Sequence, residues 1–107
     1  MPIIYEMVNS EKVYQMLRQI PLGKITTYKE IANKLDCKAY RRIGQIVGSN
    51  KDIPNTPCHR VVNSNGKIGG YAFGVTKKIS LLKNEKILVK DNKIVDFNQK
   101  LHRFNEV

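Results

Sequence analysis

The stretch that most limits how this chain can fold is residues 27–50, TYKEIANKLDCKAYRRIGQIVGSN, which holds two short amphipathic segments and little between them. The first opens on a capping box. Thr27 can accept a hydrogen bond from the Glu30 N–H, and Glu30 can reach back to the Thr27 N–H. Ile31, Ala32 and Leu35 then fall on one helical face. DCKAY reads as a connector. In the second segment Ile43, Ile46 and Val47 form the apolar face, and Gly48 to Asn50 end the helix. Two short helices with a tight connector make a helix-turn-helix.

The flanking segments are read the same way. In NSEKVYQMLRQIP, Val13, Met16, Leu17 and Ile20 make one helical stripe, with Asn9 or Ser10 as cap and Pro21 as stop. PLGKIT is a turn into a short extended piece. KDIPNTP, with Pro54 and Pro57, is a proline-broken loop. HRVVNSNGKIGGYAFG is expected to form strand, turn and strand, with Ser64-Asn65-Gly66 as the turn. A hairpin after a helix-turn-helix suggests a winged helix. VTKKISLLKNEKI is a further helix, with Thr76 as cap and Ile79, Leu81 and Leu82 facing inward. ILVKDNKIVDF is a terminal hairpin turning at Asp91-Asn92. The fold class expected is α/β, mostly helical: a winged-helix-like domain with a helix-turn-helix and a small β-hairpin. All 107 residues are expected to form one domain.

No run of about 18 apolar residues is present, so no membrane span is expected. The start, MPIIYEMVNSEK, lacks the basic and apolar regions of a signal peptide, and a cytoplasmic location follows. Cys37 and Cys58 then make a structural disulfide a poor reading. Cys37, Cys58, His59 and His102 do not follow zinc-ligand spacing, so neither metal nor cofactor is expected. Nineteen Lys and Arg against nine Asp and Glu give a net charge of +10. Such a balance attracts polyanions, nucleic acid first, although a lysine-rich surface also serves solubility alone.

The chemistry gathers at NTPCHRVV, residues 55–62. A thiolate is a strong nucleophile, a histidine can take the thiol proton, and a carboxylate can orient the histidine. Cys58 and His59 are adjacent in sequence, and on an extended strand their side chains would point to opposite faces. A working pair therefore needs a bend here, or a bridging water. Glu85 is a candidate orienting acid. The competing reading of Cys58 is a small buried packing residue, and Cys37, in a polar connector, is read as structural or incidental.

PCHRVV at 57–62 resembles the active-site signature of the O6-alkylguanine-DNA alkyltransferases. IPLGKITTYKEIA at 20–32, RRIGQIVGSN at 41–50 and IGGYAFGVTKKISLLKNE at 68–85 resemble the family's flanking segments, so the likeness spans about residues 10–86. The resemblance implies a monomer that binds double-stranded DNA containing O6-alkylguanine and flips the damaged base out. It implies a single, irreversible transfer of the alkyl group to Cys58, the activity of a methylated-DNA–protein-cysteine methyltransferase.

It also implies residue roles. Cys58 is the alkyl acceptor, His59 a water-mediated base, Glu85 its orienting partner and Asn50 a hinge. Tyr28 pushes the target phosphate, and Arg41, or its neighbour Arg42, fills the gap left by the flipped base. Tyr71 donates a hydrogen bond from its hydroxyl to the guanine. Val61 and Gly70 offer backbone groups in a base pocket that includes Ala72. Arg60 is grouped with the DNA-contacting residues and read as bracing the loop. Ala72 and Phe73 stand where many members carry a hydroxyl and a small residue.

A separate N-terminal domain, such as many members carry, is not expected, which leaves room for a partner in its place. Its length resembles the alkyltransferase-like proteins, which sense O6-alkylguanine without repairing it and recruit excision repair. Those typically have tryptophan or alanine where this chain has Cys58. A third reading, from another class, is a winged-helix regulator of undamaged DNA.

Overall fold

A computed structural model describes residues 10–52 and 55–104. Asn9, offered as a helix cap, and Pro54 lie outside the described residues.

Helix α1, Ser10–Arg18, buries Val13, Met16 and Leu17, and Ile20 follows them into the core. The Pro21–Lys24 turn closes with Lys24 N–H donating to the Pro21 carbonyl at 3.1 Å. Gly23 holds the positive φ, 86°, that the third position of a type II turn requires. Strand β1, Thr26–Thr27, runs without a break into helix α2, Tyr28–Lys34. Thr27 caps that helix by accepting from the Glu30 N–H at 3.0 Å, while the Glu30 carboxylate lies 3.9 Å from Arg103. Helix α3, Tyr40–Gly48, packs on α1 and α2 through Ile43, Ile46 and Val47. These helices enclose a first core that also takes in Cys37, Cys58 and Val61. Burying a side chain of this size contributes roughly 1.5–3 kcal/mol.

The segment after α3 departs from expectation. Cys58–Arg60 is a single 3-10 turn, and the strand after it, β2, is only Val61–Val62. β2 does not fold back on residues 67–70. It pairs in parallel with β1, Thr26 opposite Val61 and Thr27 opposite Val62. The Asn63–Gly66 turn forms, with the Asn63 N–H donating to the Lys67 carbonyl at 3.0 Å, but its return arm goes on to bridge Lys93 and not β2. An alternating apolar pattern sets which face of a strand is buried, not which strand it pairs with.

Helix α4, Val75–Asn84, is led by Gly74 at φ 93°, so Thr76 lies inside the first turn and does not cap it. Strands β3, Val89–Lys90, and β4, Lys93–Ile94, form the expected hairpin, with Asp91 and Asn92 both left-handed, as a two-residue I′ loop needs. A short helix α5, Phe97–Lys100, follows. A second core joins Ile25, Val62, Ile68, Leu82, Ile87 and Ile94. Among the described residues no helix is long and apolar enough to cross a membrane.

Candidate active site

The parallel β1–β2 pair fixes the geometry of the site. It holds the Cys58–Arg60 turn against the strand that leads into α2, and so sets Tyr28 beside Cys58. A pocket of about 240 Å³ is lined by Tyr28, Gly44, Val47, Gly48, Cys58, Gly70, Tyr71 and Ala72. It lies between the N-terminus of α2, one face of α3 and the loop before α4. Gly44 and Gly48, four apart on α3, leave that face bare, and an added Cβ at either would meet no neighbouring atom. A glycine inside a helix costs about 1 kcal/mol against alanine, so the pair on one face is a signal in the sequence that motif reading passes over.

Cys58 is 3% exposed, at the floor of the pocket. The 3-10 turn supplies the bend that adjacency of Cys58 and His59 demanded, because at three residues per turn successive side chains no longer oppose one another. The His59 ring is buried, with Nε2 2.8 Å from Glu85 Oε2. A carboxylate there accepts a hydrogen bond from Nε2–H, which leaves Nδ1 as the acceptor of the neutral ring. Nδ1 is buried without a protein partner among the described residues. Burial lowers the His59 pKa, and the neighbouring cations Arg60 and Lys78 add to this against the opposing pull of Glu85.

Glu85 caps the C-terminus of α4. Its Oε1 accepts from Arg60 Nε at 2.8 Å, and its Oε2 accepts from Arg60 Nη2 at 2.9 Å. Burial alone would raise the Glu85 pKa, but Arg60 and then His59 outweigh it and hold the carboxyl below its usual value. The third Arg60 bond goes to the Ile20 carbonyl at 2.8 Å. The Arg60 fork is turned inward, 14% exposed, and ties the cysteine turn to α4 and to the end of α1.

Asn50, 3% exposed, spans the loop into Cys58. Its Nδ2 donates to the Thr56 carbonyl at 2.7 Å, and its Oδ1 accepts from the Asp52 N–H at 3.0 Å. The Thr56 carbonyl also accepts the Cys58 N–H, at 2.9 Å. One side chain thus clamps both ends of the approach to the cysteine. Arg18 and Asp52, which the sequence did not single out, hold the Thr56 hydroxyl from either side at 3.0 and 3.1 Å.

Tyr71 stands over the sulfur. Its hydroxyl is buried beside the Cys58 sulfur, close enough for that sulfur to act on it but outside good hydrogen-bond geometry. Burial first, and the Cys58 sulfur nearby second, push its pKa up to about 12. The same two causes raise Tyr28. Both hydroxyls therefore stay protonated as donors at neutral pH. Ala72 lines the pocket, and the exposed Phe73 ring sits 5.6 Å from that of Tyr71. Arg41 is exposed in the first turn of α3, whereas Arg42 is half-buried with an unpartnered Nε.

Lys78 was missed as a site residue. It is 0% exposed, and its ammonium donates to the carbonyls of Val61, Ile68 and Gly70 at 2.7, 2.6 and 2.9 Å. Burial lowers its pKa to about 8, with Cys58 opposing the shift, so it is charged at neutral pH. Its position gave a signal, since a lysine four residues before Leu82 interrupts the inward stripe of α4. The Val61 side chain lies in the core, and its carbonyl is one of the three that Lys78 holds. Gly70 lines the pocket, with its carbonyl on the same ammonium. Among the described residues no cluster of His, Cys, Asp and Glu could hold a metal ion.

Comparison with known proteins places this arrangement. The family model described as 6-O-methylguanine DNA methyltransferase, DNA binding domain, matches residues 9–87. A methylated-DNA–protein-cysteine methyltransferase of Candida glabrata is 45% identical over 83 residues, 77% of this chain and 40% of that protein. The crystal structure of Mycobacterium tuberculosis OGT in complex with DNA has a TM-score of 0.69 at 37% identity, covering 72% of this chain and 48% of the other. The structure of S. pombe ATL in complex with DNA has a TM-score of 0.76 at 26% identity, covering 94% and 98%. The chain spans less than half the length of the curated relatives it matches.

Proposed function

The chain belongs to the 6-O-methylguanine DNA methyltransferase family, through the DNA-binding domain that residues 9–87 match, and on that premise we propose that it repairs DNA by moving the alkyl group of O6-alkylguanine onto Cys58. The observation that carries this reading is Cys58 at the floor of a base-sized pocket, beside a histidine already oriented by a carboxylate.

In the proposed sequence the helix-turn-helix lies along duplex DNA, and Tyr28 presses on the backbone of the damaged nucleotide. The exposed Arg41, and not the half-buried Arg42, enters the space in the stack. An inserted side chain offsets the stacking lost when a base is flipped. The flipped guanine enters the pocket past the bare Gly44–Gly48 face. The Cys58 thiol gives its proton, through a bridging water, to His59 Nδ1, and Glu85 stabilises the imidazolium. The sulfur attacks the alkyl carbon, the S–C bond forms, and the C–O6 bond breaks with its electron pair going to the guanine. Charge developing on the guanine is met by the Tyr71 hydroxyl, a preorganised donor. The His59 proton then balances the released base. The S-alkylcysteine has no route back, so each chain acts once.

A second reading has one observation behind it: the match to the structure of S. pombe ATL covers 94% of this chain and 98% of that one. On that reading the pocket would hold the lesion and transfer nothing. A thiol at the floor of the pocket favours transfer. Cys58→Ala separates the roles: it is expected to abolish transfer and to keep lesion binding. Loss of both with the fold intact would mean that the thiol belongs to the binding surface only, and unchanged transfer would place the acceptor elsewhere.

A further inference from the structure

Residues 88–104 lie beyond the segment that the family model matches. The hairpin they form does not stand alone. Residues 66–68 add a third strand to it, with Ile94 N–H donating to the Gly66 carbonyl and Ile68 N–H to the Asn92 carbonyl, both at 2.9 Å. The inner face of this ribbon carries Ile68, Val89 and Ile94 into the second core. The outer face carries Lys67, Lys90 and Lys93, all exposed.

The register sets these lysines directly opposite one another. Lys67 faces Lys93, and Lys93 faces Lys90. The hydrogen bonds flanking Lys67 and Lys93 make them a non-hydrogen-bonded pair, the closer kind, with Cα atoms about 4.5 Å apart. Like charges in such positions destabilise a sheet. Among the described residues none of the three ammonium groups has an ion-pair partner. The ribbon therefore concentrates positive charge at a cost to its own stability, in a row about 10 Å across two strand spacings.

The row starts close to the proposed DNA-binding face. The turn that delivers Lys67 contributes Asn63, Ser64 and Asn65 to a cleft of about 340 Å³, whose other walls are Tyr28, Lys29 and Tyr40. Tyr28 is thus shared between that cleft and the cysteine pocket.

We propose that the outer face of the ribbon, Lys67, Lys90 and Lys93, is a second duplex-binding surface that grips the phosphate backbone to one side of the damaged nucleotide. It rests on the proposed DNA-binding function and extends it to a segment outside the family match. The flat, exposed row of point charges suits phosphates and not base edges, so it adds affinity without sequence preference.

The test is the salt dependence of duplex binding by the full chain and by its K67Q/K90Q/K93Q variant. Each phosphate contact contributes about 0.9 to the slope of log K against log salt, so the triple variant is expected to lower the slope by about 2–3. A control, K83Q/K86Q, removes two exposed lysines at the end of α4. An unchanged slope in the triple variant overturns the proposal. So does a loss per charge equal to that of the control, or a loss seen with single-stranded RNA or anionic vesicles but not with duplex DNA. Transfer from a free O6-benzylguanine base should be the same in all three proteins. If the unmodified chain fails to bind duplex DNA at all, the reading of the site fails. If it binds normally and only the slope prediction fails, the ribbon alone is refuted.

Discussion

Glu85→Gln separates the two jobs of one carboxylate. Glu85 accepts three hydrogen bonds, two from Arg60 and one from His59, with its side chain 12% exposed. Removing one partner of a buried ion pair costs about 3–5 kcal/mol. Glutamine keeps the shape and one acceptor oxygen, so the lower end, about 3 kcal/mol, is expected, a fall in Tm of about 12 °C or more. The amide NH2 must then face a donor. If it faces Arg60, the fork is half broken. If it faces His59, the ring must accept at Nε2 and carry its proton on Nδ1, where it can no longer take one from the thiol. A general base contributes about 10²–10⁴ in rate, and a loss of that size is expected in transfer from a lesion duplex. The assay is single-turnover transfer at low temperature, corrected for the folded fraction from a denaturant curve on the same sample. A full rate per folded molecule would refute the orienting role, whatever the stability does.

Lys78→Met removes three bonds from the carbonyls of Val61, Ile68 and Gly70. Each buried carbonyl left unpaired costs about 1–3 kcal/mol, so both the denaturation midpoint and lesion affinity are expected to fall, with Lys78→Arg failing to restore either. Gly44→Leu places a side chain where no neighbouring atom lies, so helicity and Tm should hold or rise while the pocket fills and lesion binding fails; a lesion affinity within about twofold of the parent would contradict the pocket assignment. Arg41→Ala is expected to weaken transfer from duplex lesions far more than transfer from the free base, and Arg42→Ala to act mainly on stability; the reverse pattern, read in the same two assays, would exchange their roles. Stability should fall with acid in two stages. His59 has a folded pKa below its free value of 6.5, so the unfolded chain takes up that proton first and stability drops as pH falls below about 6.5. Glu85, also lowered, adds a further loss below its free value of 4.5 as it is protonated. Denaturant midpoints across pH 3–8 check both, and a flat profile would contradict the buried His59–Glu85 pair.

The helices of this fold are written in local terms, which is why they could be read. Val13, Met16, Leu17 and Ile20 repeat with the helix, Thr27 caps α2 three residues from its partner Glu30, and Asp91-Asn92 is a turn on its face. The β pairing is not local. Two residues, Val61 and Val62, meet Thr26 and Thr27, and nothing in either dipeptide names the other. The same holds for polar contacts in the interior. Cys58, His59 and Glu85 could be proposed together from their chemistry and from the family resemblance. The inward turn of Arg60, the clamp of Arg18 and Asp52 on Thr56, and the three carbonyls around Lys78 depend on which loops the pairing brings together. Lys78 left a trace as a charge on an apolar stripe. Thr76 misled because Gly74, at positive φ, had already started the helix.

Whether Cys58 accepts an alkyl group is read from intact-protein mass before and after incubation with a duplex carrying one O6-methylguanine, followed by peptide mapping. The expected gain is one methyl group per chain, located on Cys58. An unchanged mass with tight, lesion-dependent binding would contradict transfer and leave a sensor, and a methyl group on any other residue would contradict the assignment of the site.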